Sequence, residues 1–222
     1  KACHFKKMPD EKAPRSVAED DSKNPPPKGF LDHLTRRFSR AAYVIVVLGI
    51  YVLGSTALGF ALAPALWCFS RISAWAETLP NVLHWFALAT GASLCFFLFG
   101  ITLLIVVPIY NLILPTQVRP FKGGYYTLPA APWFLHNGLF YLVRFTFRPF
   151  VTLTPFGIWF LQAMGMKIGR HAFINTEYIS DPCLITLGDD VALGGSVRIF
   201  AHYGGGGNLV VSPVVIEERA TI

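Results

Sequence analysis

Charged side chains are scarce in this chain. Asp, Glu, Lys and Arg make up 14% of its 222 residues, against roughly 25% in an ordinary soluble domain. The deficit is local: residues 43–118 contain only Arg71 and Glu77, while the first forty residues hold a large share of the charge. That asymmetry predicts a polar tail, then a membrane-embedded stretch, then a region of another kind. Cysteine is also sparse, with Cys3, Cys68, Cys95 and Cys183 scattered and no CxxC spacing. This excludes a disulfide framework and a cysteine zinc site. Cys68 and Cys95 fall in apolar runs, where a free thiol serves as a small hydrophobe. The net charge of +6 does not imply a nucleic-acid partner. The basic residues flank apolar runs and are placed to meet anionic lipid headgroups.

The chain starts without the apolar core of a signal peptide, and its first residue, Lys1, reads as the start of a fragment or a processed product. Residues 1–28 mix both signs of charge around Pro25-Pro26-Pro27 and cannot bury enough apolar surface to order alone. "FLDHLTRRFSR" (30–40) spaces Phe30, Leu31, Leu34 and Phe38 as a short amphipathic helix beside Arg36, Arg37 and Arg40. Residues 1–40 therefore form a basic tail and an interfacial helix. Residues 41–69 and 82–114 each exceed the roughly 20 apolar residues that span a bilayer. They predict a transmembrane hairpin over 41–114, with a loop carrying Arg71, Glu77 and Pro80, and a tilt or break at Pro108. Ser55, Gly59 and Ala63 form a small-residue series where another helix could approach. Basic residues before the first span, and Arg119 and Lys122 after the second, put both ends on the cytoplasm-like side of an unspecified membrane.

"RPFKGGYYTLPAAPW" reads as a loop with aromatic anchors. The following apolar stretch, interrupted by Arg144, Arg148, Pro149 and Pro155, reads as two short interfacial or re-entrant helices with the arginines snorkelling to headgroups. These fill 115–165. From 166 onward phenylalanine gives way to Gly, Asp, Val and Ile. Four six-residue windows, opening at Ile168, Leu187, Leu193 and Ile216, share an aliphatic residue, then Gly or Glu, two free positions, then Ala or Val. Ile174, Ile199 and Ile222 continue the phase. A six-residue aliphatic period is the mark of a hexapeptide-repeat parallel β-helix, with the aliphatic side chain inward and glycine permitting a tight corner. Coils of this kind need stacked neighbours, so further coils or a partner are expected to cover the end near Ile222. Gly204 to Gly207 lack the spacing of a phosphate-binding loop and read as a flexible excursion.

His202 lies three residues after Ile199, and His171 holds the same phase after Ile168. Two histidines are too few for a histidine zinc site, so no metal is expected.

Over 114–222 the sequence resembles a known family. "LPTQVRPFKGGYYTLPAAPWFLHNGLFYLV", "TPFGIWFLQAMGMKIGRHAFINTEYIS" and "DPCLITLGDDVALGGSVRIFAHY" are similar to the carboxy-terminal region of poly-lysine-synthetase-type, non-ribosomal-peptide-synthetase-like membrane proteins. There, membrane helices alternate with acyltransferase-like hexapeptide-repeat modules. The resemblance implies a left-handed β-helix, a known exception to right-handed crossovers. It also implies that His202, and less directly His171, serves as general base for acyl or aminoacyl transfer from a thioester to an amine or hydroxyl. Neutral imidazole suits that role. The donor would be acyl-CoA or a carrier-protein thioester. The partners would be the lipid bilayer and either further copies in a trimer or other subunits of a membrane complex. In the last case the chain would be a non-catalytic accessory subunit with the β-helix as scaffold.

Overall fold

The computed structural model describes residues 39–222 except Tyr126 and Gly207, together with Phe30 and Arg37. The polar segment and most of the short amphipathic helix expected before residue 40 lie outside the described residues. Two long helices come first, α1 (Ser39–Ala76) and α2 (Asn81–Ile113). Their 38 and 33 residues run for roughly 57 and 50 Å at about 1.5 Å per residue, beyond the roughly 30 Å of a hydrocarbon core. Over Tyr43–Ala76 and Asn81–Ile113 both are long and apolar enough to cross a membrane.

The hairpin differs from expectation in three details. Pro64 and Pro108 sit inside continuous helices; each removes a single backbone hydrogen bond, which a long, laterally packed helix tolerates. Helix α1 runs past Arg71, so the connection is only residues 77–80, closed by His84 Nδ1 at 2.8 Å from the Ala76 carbonyl. The third concerns the small residues packed inside the hairpin, which are a second series beside the one expected to meet another helix. Ala57, Ala61 and Ala65 are the buried series, whereas Ser55, Gly59 and Ala63 are exposed. Small side chains at every fourth position let α2 approach closely, and Tyr110 Oη donates to Thr56 Oγ1 at 3.1 Å across the pair.

Residues 115–165 fold into more than a loop and two surface helices. Strand β1 (Phe121–Gly124) and a 3-10 turn (Leu128–Ala130) lead into α3 (Ala131–Thr146), the short α4 (Arg148–Val151) and α5 (Pro155–Ala163). Helix α3 buries Leu139, Phe140 and Val143, and it also buries His136, Asn137 and Arg144. Phe147 seats on Gly100 of α2, where an added Cβ would lie 2.1 Å from the ring. Arg144 and Arg148 do not snorkel. Both are buried, and Arg148 Nη2 donates to the Thr176 carbonyl at 3.0 Å. The helices are layered between the hairpin and the strands, so the arginines face protein.

The remaining strands are short and pair in parallel. They are β2 (Lys167–Ile168), β3 (Phe173–Ile174), β4 (Ile179–Ser180), β5 (Ile185–Leu187), β6 (Ala192–Leu193), β7 (Ile199–Phe200) and β10 (Val214–Ile216). One ladder runs β10-β5-β2, a second pairs β3 with β6, and a third pairs β4 with β7. Successive passes of the chain visit the three ladders in the same order. The sixth-position aliphatics are in register: Ile168 beside Leu187 beside Ile216, Ile174 beside Leu193, and Ile179 beside Ile199. Their side chains continue one apolar core that begins at Ala61, Leu103 and Val107 of the hairpin and passes through Phe140, Phe160 and Met164.

The corners assign glycine a different job from the one expected. The left-handed turn residues are His171 (φ 57°), Asp190 (φ 57°) and Arg219 (φ 61°), each three positions after an aliphatic. Gly169 and Gly188 are needed for space instead: a Cβ on Gly169 would lie 2.4 Å from the Gly188 backbone, and one on Gly188 would lie 2.5 Å from the Glu218 nitrogen. Within the glycine-rich run, Gly204 and Gly205 lie in a strand. Strands β8 (His202–Gly205) and β9 (Asn208–Val211) form an antiparallel hairpin, and β1 adds to its edge in the order β1-β9-β8. At Gly204 the Tyr125 hydroxyl occupies the space a Cβ would take, and a side chain there would have to displace the tyrosine.

Gly188→Ala is expected to destabilise the chain by at least about 1–3 kcal/mol, since a backbone atom blocks the methyl group. Gly59→Ala, with nothing within 4 Å, should leave the unfolding temperature nearly unchanged. Thermal unfolding of the two variants in detergent checks the contrast.

Candidate functional site

Helix α3 presents Trp133, Asn137, Tyr141 and Arg144 at three- and four-residue spacing, hence on one face. That face meets the end of β4, where Ser180 and Asp181 precede Pro182. Asp181 sits in the left-handed region (φ 56°, ψ 51°), a conformation that Asp tolerates better than most residues. Its side chain is fully buried. A buried carboxylate must be satisfied by donors, and three converge on it. Asn137 Nδ2 donates at 2.7 Å and Trp133 Nε1 at 2.8 Å, both to Oδ1, while His202 Nδ1 lies 2.5 Å from Oδ2. Burial acts to raise the Asp181 pKa, but the hydrogen bonds from His202, Asn137 and Trp133 and the nearby imidazole outweigh it and hold the carboxyl below its usual value.

An ionised carboxylate accepts only, so His202 Nδ1 donates to it and Nε2 is the ring nitrogen that Asp181 leaves unengaged. The ring is fixed from both sides. Trp133 meets it edge-on at 4.9 Å between centroids, and Phe200 stacks on it at 5.9 Å. The side chain keeps 20% of its surface exposed. Behind it a polar chain continues: Ser180 Oγ donates to Asn137 Oδ1 at 2.8 Å, and Tyr141 Oη lies 3.2 Å from Ser180 Oγ. Together these groups make an oriented imidazole with one basic nitrogen left for chemistry, the arrangement a general base requires.

A second histidine lies close by in a different state. His136 Nδ1 donates to Asn111 Oδ1 of α2 at 2.8 Å, and its Nε2 lies 3.6 Å from Cys183 Sγ. Burial lowers its pKa to about 4, with the charge of Asp181 opposing. Burial, helped by the same charge, pushes the Cys183 thiol up to about 12. His136 is therefore a neutral acceptor and Cys183 a protonated donor, and neither is a nucleophile or base near neutral pH. Both tie the end of α2 to the site.

The structure does not bring His171 to His202. His171 occupies the corner between the first and second ladders, whereas His202 follows the third. The His171 side chain is 81% exposed, and its Nδ1 lies 3.2 Å from Asp190 Oδ1 of the next pass. Beside it Arg170 makes a two-pronged pair with Asp189 at 3.0 and 2.8 Å. Stacked exposed ion pairs of this kind stabilise little. Asp181, Asn137 and Trp133 were not among the residues expected at the site. The available signal was Asp181-Pro182 interrupting the six-residue phase after Ile179, a place where the chain must leave regular geometry.

No family model matches this chain, and no curated protein or solved structure matches it.

The histidine pair generates a pH prediction. In the unfolded chain His136 binds its proton near the usual 6.5, in the folded chain only near about 4. Between those values the unfolded state holds more protons, so stability is fullest above about 6.5 and falls as the pH drops toward 4. The loss is on the order of 3 kcal/mol. Asp181, held below its usual range, acts only at lower pH. Unfolding temperatures measured from pH 7.5 to 4 should fall in the wild type, and the slope over that window should flatten in His136→Gln.

Proposed function

We propose that this chain is a membrane-anchored acyltransferase module that moves an acyl or aminoacyl group from a thioester to an amine or hydroxyl. The observation that carries the reading is the buried Asp181 holding His202 by Nδ1, at 2.5 Å. In this reading the acceptor N–H or O–H gives its proton to His202 Nε2 as its heteroatom bonds to the thioester carbonyl carbon. The carbon–sulfur bond then breaks, and the thiolate leaves with the proton held on the imidazolium. Asp181 stabilises that imidazolium, and the Trp133 and Phe200 rings keep water from the ring faces. The donor would be acyl-CoA or a carrier-protein thioester.

The scaffold supports the same reading. We read the three parallel ladders, with their in-register aliphatics, as turns of a left-handed hexapeptide-repeat β-helix, in keeping with the resemblance over 114–222. We read α1 and α2 as a hairpin that anchors it in a bilayer with both ends on the same side. In this reading His202 is the base, and His171, exposed and 3.2 Å from Asp190, is assigned no step.

The full chain, purified in detergent, should form acylated product by mass spectrometry from at least one pairing in a panel of acyl-CoA donors with small amine and hydroxyl acceptors. His202→Ala should slow the reaction by about 10²- to 10⁴-fold. Asp181→Asn should lose most of the same factor, because the amide can force the wrong imidazole tautomer. Wild-type turnover in His202→Ala would overturn the reading. So would silence across the panel from a chain that purifies in fixed ratio with unrelated membrane subunits, which would make it a scaffold.

A further inference from the structure

Two buried arginines lie near His202, and one of them, Arg148, has buried hydrogen-bond donors without a partner. Arg144 keeps only 9% of its surface exposed. Its guanidinium lies 5.3 Å from the Tyr141 and Phe145 rings of α3, 5.8 Å from Tyr178 and 5.5 Å from Phe200. Ring faces attract its charge but accept no strong hydrogen bond. Among the described residues Arg144 makes no ion pair and donates to no acceptor. Arg148, four residues on and fully buried, spends Nη2 on the Thr176 carbonyl, and its Nε and Nη1 have no partner. Burial pulls Arg148 down to about 10; Glu177 opposes this, and the charge of Arg144 adds to it. The two unpaired donors of Arg148 are costly to bury beside a second cation, and an oxyanion at Arg144 would offset the paired positive charge. Arg198 stands at the exposed rim, 5.0 Å over Tyr178.

The position is informative. Phe200 lies 5.5 Å from the Arg144 guanidinium and 5.9 Å from the His202 ring, so the cation and the base are neighbours of one ring. Building on the transfer reading, we infer that Arg144, backed by Arg148 and Arg198, forms an oxyanion subsite for the acceptor. The acceptor is a small molecule whose nucleophilic amine or hydroxyl lies a few bonds from a carboxylate or phosphate. Arg144 holds the oxyanion while the nucleophile reaches His202. The source is either a free amino acid or a phosphoethanolamine-type headgroup.

Thermal unfolding of the full chain in detergent, titrated with glycine, phosphoethanolamine and uncharged-tail ethanolamine, tests the subsite without requiring turnover. Glycine or phosphoethanolamine should raise the unfolding temperature and ethanolamine should not; the more effective of the two identifies carboxylate or phosphate as the preferred group. Arg144→Gln should weaken that binding at least tenfold. Arg144→Lys keeps the charge but not the two-pronged fork and should weaken it less, which keeps the test open if the Gln variant fails to fold. Arg170→Gln, at an exposed corner, should bind as the wild type does. Equal stabilisation of wild type and both Arg144 variants, or no stabilisation by either anion, overturns the subsite. His202→Ala should still bind the anion. Binding without any transfer would reject the acyltransferase reading and leave the subsite standing, and transfer without anion binding would do the reverse.

Discussion

One buried carboxylate holds this protein's parts in a fixed relation. Asp181 draws Trp133 and Asn137 from α3 and His202 from β8 onto the same two oxygens. Removing any one donor leaves the others still bound, but removing the carboxylate would take away the acceptor that all three share, in a setting where only His202 and Trp133 keep some access to water. Unsatisfied groups of that kind cost about 1–3 kcal/mol each. Around this point the layers are ordered: hairpin, then α3, then the parallel ladders. His136 extends the tie from the ladders to Asn111 near the end of α2. The site is thus a joint between layers and not an ornament on one of them.

How much was legible in the sequence depended on whether the signal was local. The apolar runs of α1 and α2 are contiguous, so their lengths showed directly and only the ends moved. Leu187, Leu193 and Ile199 recur at six because each marks a successive ladder, and a local period carried that register. Which face of α1 meets α2 is not local. Both Ser55-Gly59-Ala63 and Ala57-Ala61-Ala65 fit a small-residue rule, and only the rotation of α1 against its partner separates them. The same limit hid the partners of His202. Asn137 lies 44 residues before Asp181, and no spacing rule joins them. Arg144 and Arg148 were misread because an arginine beside phenylalanines looks the same whether lipid or protein covers it.

The corners show how a backbone divides labour that sequence patterns merge. Glycine in a repeat is read as a turn-maker, yet the left-handed positions fall on His171, Asp190 and Arg219. Gly169 and Gly188 allow one pass to lie against the next. Stacking distance, not turn conformation, decides where the side chain must be absent.

The wide separation of the site's parts has a consequence for how the molecule is made. The polar network is contributed by residues from Asn111 to His202, in chain order from the second long helix to the hairpin after the third ladder. At ribosomal rates of about 5–20 residues per second, several seconds pass between the emergence of Asn137 and that of His202. Through that interval the polar residues of α3 lack the partners they meet in the finished fold. A nascent chain cannot close this polar network until its last contributor arrives, so the order of synthesis makes the joint between layers one of the later contacts to form.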